Sequence, residues 1–169
     1  MVQSVFKFCK MHPFLWIAII GTIVNALFHS GGMVALGGDT GAYTGGAERL
    51  LNGVPLVGFH QLQCRGYLLV LAVAQWCGVG LKGAVVFQIG MSIVAACCLF
   101  SLGQNFGPVA AWFATVLFLV NPDLVRWHRY ILTDSLFISF IVICIWAIDR
   151  AVRYRGFWNV VALLVTTYT

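Results

Sequence analysis

Charge is scarce in this chain. Only 9% of its 169 residues are charged and five are acidic, where a soluble domain carries about 25% charged residues. So little charge cannot clothe a water-facing surface. A long polar tail or linker is also missing, so nothing marks off a separate soluble domain. Among Cys9, Cys64, Cys77, Cys97, Cys98 and Cys144 no CxxC or Cys/His spacing suggests zinc. Most of them lie in apolar runs and read as small core residues; Cys64, in a polar loop, has no evident partner. A dinucleotide site is excluded as well. Gly78-Val79-Gly80-Leu81-Lys82-Gly83 fits GxGxxG, but no βαβ pattern surrounds it and no acidic residue lies about 20 positions on. These glycines read as a bend between two apolar helices. The net charge of +5 comes from basic residues scattered over many loops. That is not a nucleic-acid footprint but the distribution that sets membrane topology and meets anionic head groups.

What the chain has is apolar sequence: 61% hydrophobic residues and a mean hydropathy of +0.94. Apolar runs of about 20 residues, the membrane-span signal, recur along its length. The expectation is an all-α, polytopic transmembrane helical bundle forming a single domain over 1–169. Its spans are expected at 14–34, 83–103, 107–122 and 134–149, with an incomplete one at 157–169. Lys7 and Lys10 before the first run read as the flank of a signal anchor. The last run stops at Thr169 without a polar flank, so the chain reads as the front of a longer protein. Tyr43, Ala47, Leu50 and Leu51 recur at i, i+4, i+7 and i+8, one apolar face of a short helix near 43–52 that suits the membrane interface.

Topology turns on Gly66–Leu81. Its 16 residues span about 24 Å as a helix, short of a hydrocarbon core of about 30 Å. If it crosses, Lys7, Lys10, Lys82, Arg126 and Arg129 lie inside. If it is interfacial, Lys7, Lys10, Arg150, Arg153 and Arg155 do. The counts tie, but the densest basic cluster, after Ile148, directly abuts a span, where the positive-inside rule has most force. The interfacial reading follows, with both large polar loops on the external face and the Lys7/Lys10 end cytoplasmic.

Those loops hold the candidate chemistry. Asp39 follows span one and reads either as a helix N-cap or as a carboxylate held at the bilayer edge. Asp134, after Thr133 at the head of the next-to-last run, has the same two readings. Arg65, Arg126, His128 and Arg129 read either as interfacial residues touching lipid phosphates or as a specific phosphate clamp. A carboxylate can serve as general base on a hydroxyl while arginines hold a phosphate leaving group. The combination suits chemistry on a lipid phosphate at the membrane surface.

Three features carry a family resemblance. Asp39-Thr40-Gly41-Ala42-Tyr43, followed by Ala47, Leu50 and Gly53, resembles a D-x-x-x-Y-x-x-x-A-x-x-L-x-x-G pattern after span one. Gly103 to Pro122 resembles a glycine turn, an alanine-rich span and a terminal proline. Arg129-Tyr130-Ile131-Leu132-Thr133-Asp134 resembles an arginine set four positions before a hydroxyl residue and an acid. In this order they are similar to the N-terminal part of the GT-C membrane glycosyltransferases of the family 39 type, which includes dolichyl-phosphate-mannose protein mannosyltransferases and lipid A aminoarabinose transferases. The resemblance implies inverting transfer of a sugar from a polyprenyl-phosphate donor to a lipid, glycan or protein acceptor on the external face of a bacterial plasma membrane. It implies Asp39 and Asp134 as catalytic acids, and Tyr43, Arg65, Arg126 and Arg129 as substrate-binding residues. A divalent metal is allowed and none is required; Thr40 stands where many relatives have a second acid, and Gly66-Tyr67 where many have Pro-Pro. Besides membrane lipids, the donor and the acceptor, no nucleic-acid partner is implied. The competing class is a non-catalytic polytopic protein, such as part of a transporter or an assembly factor.

Overall fold

The structure, a computed structural model, describes residues 12–30, 32–57 and 64–154. Lys7, Lys10, Arg155 and the run expected over 157–169 lie outside them. The regular structure of the described residues is helical, apart from one isolated parallel β-bridge between Ala35 and Tyr130.

Helix α1 covers Pro13–Phe28, with proline at its first turn where the missing N–H costs nothing. It ends earlier than the apolar run does, and the following strand-like segment contains Gly32 at φ +134, a conformation that side chains with a Cβ avoid. Helix α2 covers Thr40–Leu51 and α3 covers Arg65–Trp76. Gly78 and Gly80, at φ +73 and +57, turn the chain from α3 into α4, Gly80–Gly103, so the GxGxxG match is the expected interhelical bend. A 3-10 turn, Gln104–Phe106, and Gly107 at φ +105 lead into α5, Pro108–Val120. Asn121 caps the short helix α6, Pro122–Trp127, accepting from the backbone N–H of Asp123 and Leu124 at 3.0 and 3.4 Å. Helix α7 covers Asp134–Tyr154.

Two segments, Gly80–Phe106 and Asp134–Arg153, are long and apolar enough to cross a membrane, with mean hydropathies of 2.2 and 2.0. Helices α1 and α5 are apolar but shorter, 16 and 13 residues.

Helix α4 is the centre of the assembly and packs against α1, α3, α5 and α7. Small residues let backbones approach: a Cβ on Gly103 would stand 2.6 Å from the Cα of Ala111, and one on Gly21 would stand 2.9 Å from Ile93 Cγ1. One apolar cluster, around Ile17, Ala96, Phe100, Ala111 and Leu119, joins α1, α4 and α5; another, around Tyr43, Tyr67, Leu68, Val85 and Leu136, joins α2, α3, α4 and α7. Buried hydroxyls bond within their own helices, Thr115 to the Ala111 carbonyl at 2.7 Å and Ser139 to the Ser135 carbonyl at 2.9 Å.

Side-chain contacts fix the helix directions. Phe14, at the start of α1, meets Phe100 near the end of α4 (ring centroids 6.1 Å apart), while His29, just past α1, lines a cleft with Val86 and Ile89 near the start of α4. These helices are antiparallel. The chain between them, α2 and α3 included, therefore departs from and returns to the same end of α4. Gln88 bonds Ser135 at the start of α7, and Arg150 bonds Ser101 at the other end. Helices α4 and α7 are therefore parallel.

Candidate functional site

The two polar loops meet at that shared end. The Ala35 N–H donates to the Arg129 carbonyl at 2.8 Å, closing the parallel bridge to Tyr130. Further along, Gly37 faces Leu132: a Cβ on Gly37 would lie 3.5 Å from a Leu132 methyl. Two parallel strand-like segments thus run side by side, one into Asp39 and α2, the other into Asp134 and α7.

Gln88 anchors the second segment from below. It is fully buried in α4, and its Nε2 reaches the Tyr130 carbonyl at 3.2 Å, the Leu132 carbonyl at 3.0 Å and Ser135 Oγ at 3.0 Å. Two backbone acceptors that a helix would have satisfied internally are met by one amide.

Asp39 is exposed, at helical backbone angles, and makes no capping bond with its side chain. The local turn is held instead by Thr40, whose Oγ1 accepts from the Gly37 N–H at 2.8 Å. The capping reading of Asp39 is thus replaced by a carboxylate with its oxygens in the open. Tyr43, one turn on, is buried. Its ring meets Tyr67 edge to face at 5.4 Å, and its hydroxyl lies 4.0 Å from Cys64 Sγ. Burial pushes the Tyr43 phenol up; a hydrogen bond with the Thr133 side chain opposes this, and Cys64 and Asp39 add to it. Tyr43 is therefore a neutral hydroxyl that ties α2 to residue 133, next to Asp134, and to residue 64, next to Arg65. The apolar face expected on α2 is only half inside: Tyr43 and Ala47 are buried, while Leu50 and Leu51 are exposed.

Asp134 is exposed at the head of α7 and Arg65 is exposed at the head of α3, where it borders a groove with Leu50, Val54 and Leu69. Arg126 is exposed on α6, and Arg129 is half-buried, its guanidinium lying over Gly32. Among the described residues none of these arginines is ion-paired to Asp39 or Asp134; the ion pair found there joins Arg153 to Asp149 at 2.6 Å. The Tyr43 hydroxyl lies beside Thr133, next to Asp134, and Cys64, next to Arg65, whereas the Arg65 side chain borders the groove at the far end of α2 from Asp39 and Arg129 turns toward the end of α1.

Sequence reasoning missed Gln88 and the Asn25–His128 pair. His128 Nδ1 lies 2.9 Å from Asn25 Oδ1, both residues being buried, and Asn25 Nδ2 donates to the Gly21 carbonyl at 2.8 Å. A lone amide in each of two apolar helices was the available signal: polar groups in such positions need partners.

No group of three or more His, Cys, Asp or Glu side chains that could hold a metal occurs among the described residues. Two exposed carboxylates can take part in acid–base and electrostatic chemistry. No protein-family model, no curated protein and no solved structure matches the chain.

Proposed function

We propose that these residues belong to a multi-pass membrane glycosyltransferase that moves a sugar, with inversion, from a polyprenyl-phosphate donor to an acceptor hydroxyl at the external face of a bacterial plasma membrane. The observation that carries this reading is the Ala35–Tyr130 bridge, which sets the Asp39 and Asp134 loops side by side. The return of the chain between α1 and α4 to one end supports it: with α3 lying at the interface rather than crossing, both acidic loops share a face.

In this reading the exposed Asp39 carboxylate accepts the acceptor's hydroxyl proton as the oxygen attacks the anomeric carbon. The bond from that carbon to the donor phosphate breaks on the opposite side, which inverts the configuration. The departing phosphate keeps the bonding electron pair, and Arg65 and Arg126, exposed and without carboxylate partners among the described residues, meet its charge. Asp134 orients the acceptor or the attacking hydroxyl from the second loop. Tyr43 positions both loops and does not take the proton, since its burial keeps the phenol protonated.

The test is transfer of radiolabelled sugar from a polyprenyl-phosphate donor in membranes that carry the gene's complete product. Asp39→Asn is expected to reduce turnover by about 10²–10⁴-fold, the usual contribution of a general base, with membrane levels unchanged. Undiminished transfer by that variant rules out the role given to Asp39. Absence of transfer by the unsubstituted protein with every donor tried favours a non-catalytic membrane protein.

A further inference from the structure

An amide is out of place where Gln88 sits. The residue is fully buried within the apolar, membrane-length segment Gly80–Phe106, where a leucine would pack without the cost of desolvating a polar group. Polar side chains in such helices mark contacts that an apolar one cannot make. Those of Gln88 are one-sided. Its Nε2 lies 3.2, 3.0 and 3.0 Å from the Tyr130 carbonyl, the Leu132 carbonyl and Ser135 Oγ, while its Oε1 is buried and has no partner among the described residues. Turning the amide over would set Oε1 against two carbonyl oxygens, so the nitrogen must face this segment.

These contacts bracket Asp134. Leu132 lies two residues before it and Ser135 one after, so Gln88 holds the chain on both sides of the carboxylate. Asp134 is the first residue of α7, and the Tyr130 and Leu132 carbonyls lie before that helix, outside its own hydrogen-bond ladder. The same segment is joined to the Asp39 loop by the Ala35 N–H, which donates to the Arg129 carbonyl at 2.8 Å. One side chain therefore fastens it to α4 and one backbone bond to the neighbouring loop. We propose that Gln88 is a positioning residue for Asp134, setting its carboxylate beside the Asp39 loop by fastening residues 130–135 to α4. This role rests on the transferase reading above, in which Asp134 orients the acceptor. Gln88 itself touches no substrate. With leucine in its place the Tyr130 and Leu132 carbonyls lose their donor, and the segment that carries Asp134 shifts to find others.

The experiment is a double-mutant cycle on sugar transfer, in membranes that carry the gene's complete product. Gln88→Leu is expected to lower transfer at least tenfold at unchanged membrane levels. In an Asp134→Asn background the same substitution should cost less than twofold, because the group it positions is already gone. A merely structural defect would lower transfer equally in both backgrounds, and that result overturns the proposal. Gln88→Glu keeps the shape of the side chain and, protonated by its burial, offers one O–H in place of two N–H. Its loss should be at least threefold, smaller than that of Gln88→Leu and again confined to the background with Asp134. It keeps the test decisive if Gln88→Leu fails to fold. Hydrogen exchange in micelles gives a second readout: the amides of residues 128–134 should exchange at least tenfold faster in Gln88→Leu, with those of α5 unchanged. Unchanged exchange over 128–134 overturns the proposal. Undiminished transfer by Gln88→Leu overturns this role alone, whereas no transfer by the unsubstituted protein removes the transferase reading and this role with it.

Discussion

His128 has its charge state set by two neighbours. Asn25 uses its amide N–H on the Gly21 carbonyl, so its oxygen faces His128 and must accept. The proton of the neutral imidazole therefore sits on Nδ1. Burial holds the ring neutral, and the neighbouring His29 adds to this, so the His128 pKa falls from the usual 6.5 to about 4. A group whose folded pKa lies below its unfolded value costs stability as it protonates in the unfolded chain first. Above pH 6.5 both states are neutral and nothing is lost. As the pH falls from 6.5 toward 4 the unfolded chain takes up a proton that the folded one refuses, and the loss grows to about 3 kcal/mol, at about 1.4 kcal/mol per pKa unit. Thermal unfolding in detergent is expected to show the melting temperature dropping across this window, with a smaller drop in His128→Gln. An identical drop in that variant would assign the acid sensitivity to other groups, His29 and the exposed carboxylates first among them.

The glycines of α4 test the packing of whole elements, because two of them sit in opposite environments. Gly103 stands where a Cβ would press on the Ala111 backbone at 2.6 Å, and backbone cannot swing aside; Gly90 stands in open space. Gly103→Ala is expected to destabilise the α4–α5 pair by about 1–3 kcal/mol, the usual cost of overpacking. Gly90→Ala should be neutral or stabilising by up to about 1 kcal/mol, because it relieves the entropy of a helical glycine. Denaturant titration in mixed micelles reads both, and equal effects would mean that α4 and α5 do not meet as described. The same helices show how much was legible in the sequence. Runs expected at 83–103 and 107–122 are helices at 80–103 and 108–120, since apolar runs bounded by Gly and Pro state their own ends. The run expected to stop at 149 continues helically to Tyr154, because Asp149 and Arg153, one turn apart, pair on its surface and carry the helix past its apolar stretch. The motif residues Asp39, Tyr43 and Asp134 were visible because they break an apolar background. What joins them was not: the Ala35–Tyr130 bridge, the three bonds from Gln88 and the Asn25–His128 pair link positions far apart in the chain. Local pattern marks Gln88 and Asn25 as polar groups that need partners, but it does not say which distant residues supply them.

For the whole molecule the decisive question is which ends share a face, and the helix directions answer it in a form that labelling can check. Since α1 and α4 are antiparallel, the loop carrying Asp39 and the start of α4 lie together. Since α4 and α7 are parallel, α5 must lead back between them, and the loop before α7 returns to the same end. Arg153, at the far end of α7, then lies about 30 Å away by helix rise, the thickness of a hydrocarbon core. Three exposed positions sample this arrangement: Gly38, where a Cβ would meet nothing within 4 Å, Arg126 and Arg153. In a background with the native cysteines replaced, Gly38→Cys and Arg126→Cys are expected to react with an impermeant maleimide on intact cells, and Arg153→Cys only after permeabilisation. If Gly38→Cys and Arg126→Cys react from opposite sides, α3 crosses the membrane. The two carboxylates would then be divided between its faces, and no single reaction could use both.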